Sequence, residues 1–359
     1  MDRSNERLKG LFMNGSYRPL VVAISAVVLA HSACSSSSPP ACTDACFLIL
    51  ASGQSHPVGL AVDSSSVFWT NQTPPSLRKV SLCGGDSTEI AGPSTGPNNG
   101  NASAFGALAV RDPYVFWWAV STTQEPTPEG LIVDGSISAM SANVNGGAAM
   151  YSVGAGGGSG PITVGGIATN ADGAYYDSES ALIAAPIPPI ASGGGAVVPT
   201  RGRAGGLATD DAYVYGTNLT KPGSVDKAKT GGVALDGAFV TLATGQDGAS
   251  GIAVDAESVY WTATGTGNVM SVPKGGGTPV TLASHQDAPA SIAVNASGLY
   301  WTTGSGTVMR LASDGGAPTT IASQQGELSA IVADASHVYW ANGAVNGSVT
   351  KFTPGIGCP

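Results

Sequence analysis

Three side chains of this 359-residue chain have the chemistry for proton transfer: His56, His285 and Glu327. A histidine within hydrogen-bond reach of a carboxylate can act as acid and base, as a lyase or hydrolase requires. No spacing motif joins the three, and the chain has no nucleophile elbow, HExxH pair or EF-hand loop. Catalysis by these residues is therefore the alternative expectation, and binding without catalysis the main one. Four glutamines, Gln54, Gln246, Gln286 and Gln325, recur at one register and have two possible uses. Buried amides are usually satisfied by the fold itself, here by backbone in a neighbouring unit. The other use is a ring of ligand-binding amides from Gln246, Gln286 and Gln325. Arg201 and Arg203, together in TRGRAGG, have the forked geometry to clamp an anionic group. The spacing of histidines and cysteines suggests no metal site, and no cofactor is expected.

The register that organises these residues is a repeat. The stretch GIAVDAESVYW from Gly251 recurs as GLAVDSSSVFW from Gly59, ALAVRDPYVFW from Ala107 and GIATNADGAYY from Gly166. It appears again as GLATDDAYVYG from Gly206, SIAVNASGLYW from Ser291 and AIVADASHVYW from Ala330. An aromatic residue follows each marker by nine positions: Phe68, Phe116, Tyr175, Tyr215, Tyr260, Tyr300 and Tyr339. Successive markers are 48, 59, 40, 45, 40 and 39 residues apart, a period that signals a repeat array. Within a unit, GIAV, VYW, GNVMSVP and TPVTLAS read as strands, with turn compositions between them. Four strands per unit and seven units predict an all-β, seven-bladed propeller of four-stranded antiparallel blades. The short Asp or Asn four places after most markers is expected to accept backbone N–H bonds in the first turn. The last unit stops after a third strand, GSVTKFTP, while LILASGQSHPVGLAV at 48–62 matches VTLASHQDAPASIAV at 280–294 without a gap. An N-terminal strand is thus predicted to complete the last blade and close the ring.

The YWT element, with GIAVD before it and GxVMxV…GG after it, resembles the YWTD-type and NHL-type propeller repeats. The resemblance implies the fold, and a binding role only through it.

Ahead of the repeats, Arg3, Arg7, Lys9 and Arg18 precede the apolar run LVVAISAVVLA at 20–30, the length of a secretory h-region. Small residues ending in Cys34, then a Ser/Pro tether, resemble a bacterial lipoprotein signal in which Cys34 is lipidated. Cleavage after Ala30 without lipid is the competing reading. Residues 1–33 are expected to be a signal, 34–45 a tether and 46–359 one propeller domain. The protein is then exported, either anchored in the outer membrane or periplasm or freely secreted. Of 15 basic and 24 acidic residues, residues 1–33 hold four and two, leaving 11 and 22. That acidic balance, without a basic cluster, argues against nucleic acid, and leaves a lipid anchor as the only expected membrane contact. A monomer is expected, with a protein, peptide or glycan as ligand. If Cys34 is lipidated, Cys42, Cys46, Cys83 and Cys358 suffice for two disulfides. The pairing is Cys46–Cys358 with Cys42–Cys83, or Cys42–Cys358 with Cys46–Cys83.

On a propeller one face bears the loops between second and third strands and those linking blades, and function usually sits on such loops. The insertion 119–134 and the glycine-rich 152–166 belong to that face. His56, His285 and Glu327 are expected there too, and His337 on the opposite one.

Overall fold

The computed structural model describes residues 46–93, 104–127, 130–144, 151–159, 164–178, 181–187, 196–199, 204–231, 234–235 and 239–355. Within them the chain forms seven antiparallel sheets that follow one another as the blades of a propeller, with no helix. Blade 1 shows the pattern: Pro57–Val62 innermost, then Ser66–Gln72, Pro75–Ser81 and Thr88–Ala91 outermost. The innermost strands of blades 2 to 6 begin at Ala104, Val164, Ala204, Ala249 and Ile292. Blade 4 carries an additional two-residue strand, Ala234–Leu235, on the end of its third strand. Blade 7 consists of Leu328–Ala333, Val338–Asn342, Gly347–Phe352 and, as its outer strand, Phe47–Gln54. The register runs antiparallel from Phe47 opposite Phe352 to Gln54 opposite Gly347, so the N-terminal strand closes the ring.

The repeated residues form these strands because each blade is packed on both faces, which selects consecutive apolar and aromatic side chains over alternation. The buried apolar residues divide into seven clusters, one for each seam between neighbouring blades. All six tryptophans are fully buried in these seams. The threonine of the YWT element adds a polar peg. Thr70 Oγ1 accepts the Gly59 N–H of its own blade (3.0 Å) and donates to the Gly106 carbonyl of blade 2 (2.7 Å). Thr217 makes the same pair of bonds with Gly206 and Ser250 (2.8 and 2.6 Å). Thr262 does so with Gly251 and Ala290. At the closing seam Ser329 Oγ donates to the Pro57 carbonyl (2.6 Å), joining blade 7 to blade 1.

The 119–134 stretch differs from a loop insertion. Tyr114–Thr127 and Gly130–Asn143 form one continuous ladder of fourteen residues on each side, from Tyr114 opposite Asn143 to Thr127 opposite Gly130. The outer strand Tyr151–Ser159 follows it as far as Asp134. The equivalent ladder of blade 1 ends after seven pairs, so the hairpin of blade 2 exceeds it by about 20 Å at 3.3 Å per residue. The strand pairing continues without a break from Ser121 opposite Ser136 to Thr127 opposite Gly130, where sequence composition suggested a loop.

Candidate functional site

The turns between first and second strands bear out the expected role of the fourth-position Asp or Asn. Asp63 Oδ1 accepts the N–H groups of Ser65 and Ser66 (2.7 and 2.8 Å), and Asp255 Oδ1 those of Glu257 and Ser258 (2.9 and 2.8 Å). The second carboxylate oxygen serves the repeat's tyrosine: Tyr215 donates to Asp210, Tyr260 to Asp255 and Tyr339 to Asp334, at 2.7–2.8 Å. Burial and the neighbouring Asp255 push the Tyr260 hydroxyl up to about 12, so it stays a donor at any physiological pH. Asp334 also meets His337 Nδ1 at 3.2 Å, on the face opposite the connecting loops.

Burial by itself would raise the Asp334 carboxyl. The bonds from the His337 side chain, the Ser336 N–H, the Tyr339 hydroxyl and the His337 N–H outweigh it and hold the group at about 2, against 3.8 for a free side chain. Its folded value is depressed, so its contribution is complete above pH 4 and is lost as pH falls through 2. The side chain keeps a quarter of its exposure, so the contribution is discounted for solvent to about 1–2 kcal/mol. Asp334→Asn retains the turn acceptor, as Asn170 does in blade 3 with the N–H groups of Asp172 and Gly173. The variant is expected to lose less stability than wild type between pH 5 and 2.5, measured by urea midpoints at both. Equal losses would show that Asp334 is not an acid-sensitive group.

The four glutamines face the seams. Gln54, Gln246, Gln286 and Gln325 each accept from the indole N–H of a tryptophan in the next blade: Trp69, Trp261, Trp301 and Trp340, at 2.9, 3.2, 3.1 and 3.0 Å. Each Nε2 donates to the carbonyl two residues earlier, at 2.9–3.0 Å. The amides thus clip the outer end of one blade to the tryptophan of the next. Across the seam the partner is a side chain, where sequence reasoning expected backbone; the backbone bond is to the glutamine's own segment.

His56 and Glu327 occupy the same register, three residues before their markers, in neighbouring blades 1 and 7; His285 lies six before its own. His56 has a left-handed backbone (φ 51°) and its N–H donates to the Ala344 carbonyl at 3.2 Å. Its Nδ1 is buried and has no partner among the described residues. His285 is also left-handed (φ 57°), at the place where Gly53 and Gly245 have φ 65° and 68°. Its ring is exposed and meets Ser284 Oγ at 3.1 Å. Glu327 is exposed, and its carbonyl accepts from the Gly343 N–H. No hydrogen bond or ion pair among the described residues joins any two of the three. Arg201 and Arg203 lie outside the described residues, as do Cys34, Cys42 and Cys358; Cys46 and Cys83 each have a partner. Among the described residues no group of three His, Cys, Asp or Glu side chains is placed to hold a metal ion.

Sequence reasoning missed two surface sites. On the loop-bearing face, where blade 7 meets blade 1, a cleft of about 350 Å³ opens between Gly53–Ser55 and the hairpin turn at Pro74–Pro75. Asn71, Ser76, Arg78 and Glu89 line it. The legible signal was the pair of prolines one residue after WTNQ, in WTNQTPP, which sets this hairpin apart from its equivalents. On the other face, a depression of about 460 Å³ between blades 4 and 5 holds Asp210, Tyr213, Lys227 and Lys274. There Lys274 Nζ pairs with Asp210 Oδ2 at 2.9 Å, and Lys227 Nζ sits 4.6 Å from the centre of the Tyr213 ring. Lys227 Nζ also donates to the Lys274 carbonyl (2.6 Å). Lys79 in blade 1 and Lys351 in blade 7 reach the next blade in the same way, at Val144 and Leu82 (2.5 and 3.1 Å). These lysines are seam ties, which explains how Lys351 is tolerated while buried.

The class these features define is the seven-bladed β-propeller. Among solved structures, the chain is similar to a streptogramin B lyase at 13% identity and a TM-score of 0.59, with 85% of this chain and 97% of that one covered. It is similar to a catalytically inactive histidine-to-alanine virginiamycin B lyase from Staphylococcus aureus with quinupristin, at 14%, 0.60, 86% and 98%. It is likewise similar to the computationally designed Ika8 protein, at 14%, 0.55, 85% and 98%. A lyase and a designed protein on one architecture show that the fold does not choose the activity. No protein-family description matches the chain, and no curated protein matches it.

Proposed function

We propose that this protein is an exported propeller, anchored by a lipid on Cys34, that binds a protein, peptide or glycan ligand through its loop-bearing face without catalysing a reaction. The observation that supports this reading is the cleft at the seam of blades 7 and 1, lined by Asn71, Ser76, Arg78 and Glu89. The projecting hairpin of blade 2 lies on the same face. In this reading residues 1–33 are removed, 34–45 tether the propeller, and the cysteines of the mature chain form two bridges. The YWTD- or NHL-type repeat supplies a scaffold with no chemistry of its own.

The alternative, a lyase or hydrolase using His56, His285 or Glu327, draws on one specific observation. The His56 Nδ1 is buried and has no partner among the described residues, and His56 is in register with Glu327 of the adjacent blade. Two measurements separate the readings. Intact-mass analysis of envelope-fractionated protein, before and after reduction, is expected to give a diacyl or triacyl chain beginning at Cys34 with two disulfides. A lipid-free chain beginning at His31 would overturn the anchor. Incubation with quinupristin, followed by mass spectrometry, is expected to leave that compound unchanged. Conversion that is abolished by His56→Ala would overturn the non-enzymatic reading.

A further inference from the structure

The seam between blades 3 and 4 lacks the side chain that fills the other six. In those blades the second strand carries an aromatic residue ten places after the marker: Trp69, Trp117, Tyr176, Trp261, Trp301 and Trp340, each at most 2% exposed. Blade 4 has Gly216 there, and Gly216 is partly exposed. The residue directly after the marker responds in the same way. Leu60, Leu108, Ile167, Ile252, Ile292 and Ile331 are 3–8% exposed, whereas Leu207, alone of the seven, is not buried. Water therefore reaches into this seam at the place where an indole sits in most others.

A side chain at position 216 would point into that opening. Its Cβ would meet only the Leu207 side chain at 3.2 Å and the Gly206 carbonyl at 3.9 Å, both of blade 4, and nothing of blade 3. This face of the blade does look on blade 3. Val214 and Ala228, two residues from Gly216 and from its cross-strand partner Asp226, pack with Tyr175 and Leu182. A large aromatic side chain covers about 150–250 Å² when buried, and in blade 4 that cover is missing.

Asp226 gives the opening its charge. It lies opposite Gly216 and keeps 9% of its surface. Ser224 Oγ and Thr241 Oγ1 donate to its two oxygens at 2.6 and 2.5 Å, so neutral hydroxyls hold the carboxylate in place. Among the described residues no cation pairs with it. Lys227, the next residue, belongs to the other face of the strand and donates to the Lys274 carbonyl of blade 5. Each carboxylate oxygen can accept a further bond, and a charged donor makes the stronger one. The space left by an indole, with an unneutralised carboxylate beside it, selects a flat ring joined to a positive charge. A ring that carries an anion would be repelled.

We propose that the open seam between blades 3 and 4 binds an aromatic amine. The ring takes the place that Trp261, Trp301 and Trp340 occupy in their own seams, and the ammonium group lies on Asp226. This site is separate from the cleft of blades 7 and 1 and goes beyond the reading built on it.

The test is titration of isotope-labelled full-length mature protein with tryptamine, indole and indole-3-acetate, followed by amide chemical shifts. The three share a ring and differ in charge. Tryptamine is expected to shift residues 206–207, 216–217 and 225–226 saturably. It is expected to bind about tenfold more tightly than indole-3-acetate, a difference of about 1.4 kcal/mol, with indole between them. Gly216→Trp restores the repeat's own side chain and is expected to abolish binding while the unfolding midpoint holds or rises. Asp226→Asn keeps an acceptor for Ser224 and Thr241 and is expected to bring the three compounds within about twofold of one another. That variant decides the matter by itself if Gly216→Trp does not fold. Undiminished shifts in Gly216→Trp, or a preference for tryptamine that survives Asp226→Asn, would overturn the proposal. Binding that appears only in Arg201→Ala would show that the chain fills the opening itself, and would overturn it too. So would an absence of shifts with all three compounds, or saturable shifts confined to other blades.

Discussion

Removing Phe47–Gln54 is expected to unfold the propeller or reduce it to an aggregating remnant. The strand supplies the outer edge of blade 7 by pairing with Gly347–Phe352. Its Leu50 is buried in the closing seam with Tyr339, Val349 and Trp69. Phe47 packs on Phe352 and Trp340, with ring centroids 5.1 and 6.0 Å apart, and Gln54 holds the Trp69 indole. Burial of one leucine is worth about 2 kcal/mol and each net hydrogen bond about 1 kcal/mol. The combined loss, about 5 kcal/mol or more, is comparable with the whole stability of an ordinary domain. It also exposes the edge of Gly347–Phe352, a template for pairing with a second chain. Urea unfolding and size-exclusion chromatography of the truncated chain report both effects. A monomer with a cooperative transition at the wild-type midpoint would show that the ring does not depend on this closure.

The second large effect is expected at Trp301. Its side chain is fully buried between blades 5 and 6 against Ala253, Val269 and Ile292, and its N–H is held by Gln286. Trp301→Ala removes the packing and leaves a cavity, at a cost of about 3–5 kcal/mol. For a domain of this size that corresponds to a fall in Tm of roughly 6–15 °C. Gln286→Ala keeps the indole in place and removes only its acceptor, so about 1–2 kcal/mol is expected. The order of the two variants by thermal unfolding separates packing from the clip. If Gln286→Ala costs as much as Trp301→Ala, the clip rather than the burial holds this seam.

The glutamine clip shows how far a single chain can be read. Blades 1, 5, 6 and 7 have both a Gln five before the marker and a Trp ten after it. Blades 3 and 4 have Tyr176 and Gly216 in the tryptophan's place and Pro161 and Arg201 in the glutamine's. The two positions change together, and that correlation was present in the residues. Blade 2 breaks it, with Trp117 but Ala102, and the Trp117 N–H has no partner among the described residues. By this register Arg201 stands where the clip is lost, in the half of the ring whose blades are least alike. The His and Glu candidates were harder to read. His285 and His56 look equivalent as loop histidines, yet lie three register positions apart, one exposed and one with a buried ring nitrogen.

The sequence alone determined the number of blades, the strands within them, the turn-capping Asp and Asn, and the strand that closes the ring. Those features are local and repeated: burial on both faces of a blade writes the same apolar and aromatic positions into every unit. Only the tertiary structure decided which polar groups the seams consume and which they leave over. The glutamines meet tryptophans because neighbouring blades pack at a fixed angle, which no property of either strand specifies. Asn71 Oδ1 has no partner among the described residues, while Asn342 and Asn218 accept from Ala344 and Thr220, because one hairpin runs a residue further before it turns. The closing strand then sets Gln54 against Asn71. The seam cleft is one of several places where the repeat does not satisfy its own polar groups, His56 Nδ1 and the Trp117 N–H being others among the described residues.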